Sequence, residues 1–289
     1  MKESIRRLIR ILVKMAEEGV LGEEIRVTRQ EYEQLPGEIA VLIQAVADLY
    51  EPEDSGLEEN LQIQDLFCQL LIVTFREADR IDKNISHALL SSFIKDYPDV
   101  AESCLAPQLS YLMESMLGYK EVAKSGNRIL VWQQLKSLFL AYNEFINALL
   151  GFMIPCLLVT KGNSLSLDIF QQPYANRIEK LNSLTGGEQG AYYLIGRFAE
   201  PKIRNAIGHG SIWLDSEAAK VRYIEGRKAR REYELDLTEF LAKATSGYYL
   251  GRGYFAAIST IIVMIDGTEL AKSFLPNHLV RVFNFETEE

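Results

Sequence analysis

Apolar residues recur along this chain at intervals of three and four, the spacing that lines one face of an α-helix. Ile5, Leu8, Ile9, Leu12, Val13 and Ala16 form such a stripe close to the first residue. A second helical segment starts near Thr28, whose hydroxyl suits an N-cap, and Pro36 divides or kinks it before the run Ile39 to Leu49. The acidic stretch Glu51 to Gly56, with its proline and glycine, reads as a loop. Ile63, Leu66, Phe67, Leu70, Leu71 and Thr74 stripe the next helix, and the polar stretch Arg80 to Asn84 ends it. Two shorter helices follow near 86–95 and 98–118.

A polar segment, Gly118 to Asn127, precedes a long apolar helix. Ile129, Trp132, Leu135, Leu138, Phe139, Tyr142, Phe145, Ile146 and Leu149 form its broad stripe, and Asn147 is the polar residue that needs a partner if buried. Helical segments near 174–184 and 188–209 flank Thr185-Gly186-Gly187, a C-cap and turn signal. Beyond Ile212 the pattern turns β-like. Ile212-Trp213-Leu214 and Lys220 to Ile224 make a hairpin about the turn Asp215-Ser216-Glu217, and Glu225-Gly226-Arg227 turns into a further strand reaching Leu237. Helical spacing returns from Thr238 to Asp266, with Gly247, Gly251 and Gly253 weakening its middle enough to predict a break near 247–253.

The predicted fold class is mostly α. The chain divides near Gly118 into an N-terminal helical region, 1–119, and a helical domain, 120–289, with a β-hairpin at about 212–237. A chain of 289 residues admits one large domain or two ordinary ones. Apolar content of 48% and charged content of 25% are those of a globular protein. A net charge of −9 argues against coating nucleic acid by bulk charge, so any phosphate-binding surface is local. Cys68, Cys104 and Cys156 are widely spaced among apolar neighbours, as in a reducing compartment, and imply no disulfide framework. With three histidines and no paired ligand spacing, no metal or cofactor is expected. The apolar run Ala148 to Val159 is short of the about 20 residues that cross a bilayer and reads as a buried helix, so the expected location is cytoplasmic, away from membranes.

One segment carries candidate chemistry: Arg204-Asn205-Ala206-Ile207-Gly208-His209. On a helix Asn205 and His209 share a face, and Arg204 reaches round with its long side chain. Imidazole moves protons near neutral pH and guanidinium holds phosphate oxygens as charge develops, a combination suited to cleaving an RNA phosphodiester. The segment resembles the R-x4-6-H motif of the HEPN superfamily, in a domain covering roughly 127–267. That resemblance implies a metal-independent endoribonuclease in which Arg204 contacts the phosphate, His209 transfers protons and Asn205 orients the site. The 2′-hydroxyl attacks its neighbouring phosphate and leaves a 2′,3′-cyclic phosphate and a 5′-hydroxyl. It also implies a homodimer with a shared cleft, a toxin or defence role, and an antitoxin or regulatory partner. A toxin subgroup carries tyrosine two residues after the histidine; here that position is Ser211, so control by tyrosine nucleotidylation is not expected.

Lys220, Arg222, Arg227, Lys228, Arg230 and Arg231 stand against a single Glu225, a local balance of +5 that leaves −14 on the rest of the chain. This strip is a candidate RNA-binding surface, against the alternative of a solvated hairpin. Arg197 lies seven residues before Arg204 and would share its face unless Pro201 interrupts the helix, a salt bridge to Glu200 or Glu188 being the alternative. Tyr192, Tyr193, Tyr248, Tyr249 and Tyr254 would stack bases or, the more common use of such spacing, fill the core. His87 and His278 have no companions in sequence. Two other readings remain open: a non-catalytic module binding nucleotide, RNA or protein, and a helical scaffold without a site.

Overall fold

Helices dominate residues 2–21, 25–51, 58–91, 105–163, 168–225 and 231–284, which a computed structural model describes. In chain order they are α1 (Lys2–Glu17), α2 (Gly37–Tyr50), α3 (Glu58–Ile81), α4 (Lys83–Ser91), α5 (Leu105–Ala123), α6 (Arg128–Thr160), α7 (Asp168–Gln171), α8 (Tyr174–Thr185), α9 (Tyr193–Phe198) and α10 (Pro201–Gly208). Three strands follow, β1 (Ile212–Asp215), β2 (Lys220–Glu225) and β3 (Arg231–Asp236), and then α11 (Leu237–Asp266), α12 (Glu269–Ser273) and α13 (Asn277–Asn284). The fold is mostly α, as its periodicity predicts.

Several boundaries moved for local reasons. Thr28 caps no helix; a single 3-10 turn at Gln30–Tyr32 precedes α2. Pro36 sits at the entrance to α2, where its missing N–H costs nothing. The segment expected as one helix over 188–209 is a 3-10 turn, α9 and α10, because Pro201 is the first residue of a new helix. The loop expected at 51–56 falls almost entirely outside the described residues, as do Cys104 and much of the junction between the two short helices.

The break expected at 247–253 does not occur, for α11 runs unbroken. Its glycines mark places where neighbouring elements come too close for a side chain. A Cβ at Gly253 would lie 2.5 Å from the Gln64 carbonyl oxygen on α3, and one at Gly247 would meet the Tyr142 ring on α6. The helix propensity lost at each glycine, up to about 1 kcal/mol, is offset by contact between helices.

Both α6 and α11 are long and apolar enough to cross a membrane, yet their most apolar stretches are 83% and 89% buried by the rest of the fold. They are core helices. From Gly247 to Met264, α11 is buried on every side, with α3, α6, α5 and α2 packed against it. The division expected near residue 119 lies inside α5, and α3 and α11, one from each region, contribute to the same apolar core. Burial of Tyr248, Tyr249 and Tyr254 in that core removes them as base-stacking platforms.

The strands form an antiparallel sheet in the order β1-β2-β3, with Ile212 opposite Tyr223 and Arg222 opposite Glu234. Val221 and Ile212 face inward, and β2 rests on α10 and α11. The sheet therefore braces the end of the helix that carries Arg204 and Asn205.

Candidate functional site

The sequence around His209 builds a helix end held on both sides. His209 is the C-cap residue of α10, and its N–H donates to Asn205 O. Gly210 follows with φ of +66°, a left-handed conformation that glycine adopts without strain. The Gly210 and Ser211 N–H groups donate to Ile207 O and Ala206 O, which closes a Schellman turn. Ser211 then binds the sheet: its hydroxyl donates to Ile224 O, and its carbonyl accepts from Ile224 N–H. Ser211 thereby fastens the end of α10 to β2.

Arg204 points toward α6. Its Nε and Nη2 donate to Glu144 Oε1 at 2.7 and 2.6 Å, and its Nη1 donates to Asn205 Oδ1 at 3.0 Å. A guanidinium has five N–H groups, so three are engaged and two, one each on Nη1 and Nη2, meet no partner among the described residues. Glu144 and Asn205 thereby fix the plane of a fork whose unused edge matches two oxygens of a phosphate. The pair is partly shielded, with side-chain exposures of 33% and 25%. Asn205 and His209 are exposed, and no side-chain partner for the His209 ring stands among the described residues.

Behind this edge lies a buried polar anchor. Asn143, adjacent to Glu144 on α6, is fully buried; its Oδ1 accepts from Tyr174 Oη at 3.2 Å and from Glu200 N–H at 2.8 Å, while its Nδ2 donates to Phe139 O. Glu200 ends the loop before α10, and its carboxylate pairs with Lys243 of α11. Burial pushes the Tyr174 hydroxyl well above its usual range, so it stays protonated and serves as a donor. The start of α10 is thus fixed by α6, α8 and α11 together.

Asn143, Glu144 and Lys243 were not singled out by sequence, and Glu200 only as a salt-bridge partner for Arg197. The available sign was an Asn-Glu pair inside an apolar stripe; the polar residue singled out there, Asn147, is half-buried, with its backbone carbonyl accepting from Arg177 and its side-chain Oδ1 meeting no hydrogen-bond partner among the described residues. Arg197 lies on α9, on a different helix from Arg204, and Glu200 has Lys243 as its partner instead.

The basic strip looks different once β1 and β3 are beside it. Lys220 is within 2.9 Å of Asp236 and 3.9 Å of Glu234. Arg222 meets Asp215, Glu232 and Glu234 at 3.2, 3.1 and 3.6 Å. Both cations are raised in pKa, Lys220 by hydrogen bonding to Asp236 and Arg222 by hydrogen bonding to Glu232. The charges of Lys220 and Arg222 are therefore met by acids that precede or follow the 220–231 window. Arg231 opens β3 and is exposed; Arg227, Lys228 and Arg230 lie outside the described residues.

The other histidines do have companions. His87 Nε2 lies 3.2 Å from Asp79, a buried carboxylate that also accepts from Ser86 and Arg76, and His278 Nε2 lies 3.0 Å from Asp65. Each pair joins residues distant from α10. Burial pushes Asp65 up, but the hydrogen bond and charge of His278 with hydrogen bonds from Gln69 and Tyr50 together outweigh it, and the carboxyl ends below its usual range. Among the described residues no three of His, Cys, Asp and Glu stand where they would share a metal ion. A cavity of about 250 Å³ between α6, α7 and α8 is lined by Ile154, Leu158, Asp168, Gln172 and Lys180, and none of the candidate residues borders it. Comparison of the chain with protein-family models, with characterised proteins and with solved structures returns no match.

Proposed function

We propose that the end of α10 is the active edge of an endoribonuclease of HEPN type, which cuts RNA without a metal ion by attack of the 2′-hydroxyl on its own phosphate. The observation that carries this reading is the Arg204 guanidinium, held by Glu144 and Asn205 with two N–H groups left for an anion, on the same short helix that His209 ends. The fork holds the non-bridging phosphate oxygens as negative charge builds on them. The His209 imidazole removes the proton of the 2′-hydroxyl or supplies one to the departing 5′-oxygen. Arg204, Asn205 and His209 lie on an open edge, outside the cavity between α6, α7 and α8, so a second copy of the chain supplies the walls that exclude water and the complementary proton carrier. A toxin or defence role, acting in the cytoplasm under a regulatory partner, is consistent with this chemistry.

The test is cleavage of total RNA by wild type and by His209→Ala in excess chelator, with the product ends mapped. Wild type leaves 2′,3′-cyclic phosphate and 5′-hydroxyl ends, and the variant is slower by about 10²- to 10⁴-fold. Equal cleavage by both proteins, or cleavage that the chelator stops, overturns the reading. One observation favours a second reading, a binding module without catalysis: one side of the Arg204 guanidinium is already taken up by Glu144. RNA binding that survives His209→Ala, with no cleavage by wild type, is its mark.

A further inference from the structure

Helix α1 is divided sharply into two faces. Ile5, Leu8, Ile9, Leu12, Val13, Met15 and Ala16 are buried against α2, α4 and α11, while Arg6, Arg7, Arg10 and Lys14 are exposed. At 100° per residue the four cations fall within about one quadrant of the helix surface. Lys14 stands 3.5 Å from Glu18, both side chains being more than half exposed. Arg6, Arg7 and Arg10 have no carboxylate partner among the described residues; the one side-chain bond there, from Arg10 Nε, goes to the Arg6 carbonyl.

This arrangement breaks a local rule. Arg6 with Arg10, and Arg10 with Lys14, are like charges at i and i+4, a spacing at which repulsion weakens the helix. Among the described residues no carboxylate offsets the Arg6–Arg10 pair, in a chain with acids to spare at net −9. Arg222 of the hairpin shows the opposite treatment, for it is met by three carboxylates. A rule broken without an internal gain marks a surface shaped for something outside the molecule. Arginine in three of the four positions favours phosphate, whose oxygens its fork engages in pairs. The apolar face is buried in the core, so α1 cannot bind lipid by inserting; only its charge is presented.

We propose that the Arg6, Arg7, Arg10 and Lys14 face of α1 holds the phosphate backbone of RNA, a second contact surface separate from the α10 edge. The choice of RNA over other polyanions rests on the endoribonuclease reading. The contact is independent of base sequence, because four cations on one rigid helix face read charge and spacing alone. It supplies the positive surface that the paired cations of the hairpin, Lys220 and Arg222, do not.

The experiment measures binding of a short fluorescein-labelled single-stranded RNA to the full chain carrying His209→Ala, across a salt series. Against that background, the added triple substitution Arg6→Gln, Arg7→Gln, Arg10→Gln weakens binding by about tenfold or more at low salt and reduces the slope of log K against log salt by about 2, near 0.7 per phosphate released. The matching triple Arg→Lys variant keeps most of that slope, and thermal melting confirms that both variants are folded. RNA binding and slope unchanged by the Gln substitutions overturn the proposal, and so does loss of binding to phosphatidylserine vesicles with RNA binding intact, which assigns the face to a membrane. Failure of wild type to cleave RNA, with binding still dependent on α1, removes the cutting chemistry and leaves this surface standing. Cleavage retained with binding indifferent to α1 does the reverse.

Discussion

Arg204 and Arg222 are arginines eighteen residues apart in the same region of the chain, and the fold treats them in opposite ways. Arg204 has a single carboxylate, Glu144, and an amide neighbour, which orient the guanidinium and leave two of its N–H groups unused. Arg222 lies in the middle strand of a sheet among Asp215, Glu232 and Glu234, and its charge is consumed there. One carboxylate aims an arginine; three neutralise it. Charge summed along a sequence window does not separate the two cases, because the deciding acids come from other elements: from α6 for Arg204, and from β1 and β3 for Arg222.

The contrast is broken most severely at its foundation. Asn143→Ala leaves the Tyr174 hydroxyl and the Glu200 N–H without their buried acceptor and is expected to cost about 2–4 kcal/mol in urea unfolding, with RNA cleavage lost along with the seating of α10. A loss under about 1 kcal/mol would show that α10 is held by its apolar side, Ile203 and Ala206, alone. Next in size is Glu144→Gln, which keeps the shape of the side chain but not its charge. The proposed rate falls about tenfold through a lower kcat with KM little changed, since the guanidinium loses its orientation more than its attraction for phosphate. A variant with unaltered kcat would make Glu144 a purely structural partner. The smallest effect is expected on the hairpin. Arg222→Gln should leave the melting temperature nearly unchanged, because solvent-screened ion pairs contribute little, and RNA affinity should hold within a factor of two. A tenfold loss of affinity there would return the hairpin to the RNA-binding surface.

Much of the architecture was legible because helical periodicity is local. The stripes at Ile5 to Ala16, Ile63 to Thr74 and Ile129 to Leu149 each report a face, and each became a helix with most of that face buried, though Leu66 and Ile129 stay exposed. The hairpin followed from β-favouring runs around a turn. Glycines misled, since Gly247, Gly251 and Gly253 signal a break by propensity alone, whereas in the fold they admit Tyr142, the α5 side chains and the α3 backbone. At the candidate site, the three residues on α10 were legible as a motif, but the groups that orient them were not. Glu144 lies sixty residues before Arg204, and nothing in its neighbourhood advertises a partner. Histidines 87 and 278 were opaque in the same way, the carboxylate of His278 lying 213 residues away.

By itself, then, the sequence determined the helical class, the course of most elements and the short segment where an arginine, an amide and an imidazole stand together. Those depend on spacing within one helix or hairpin, which the backbone period enforces. Tertiary structure decided which charges are spent and which remain available: Arg204 aimed, Lys220 and Arg222 neutralised, and the arginines of α1 left facing water. Electrostatic partners are chosen by distance through space, and close approach between α6 and α10, or between neighbouring strands, exists only once the apolar core has brought those elements together.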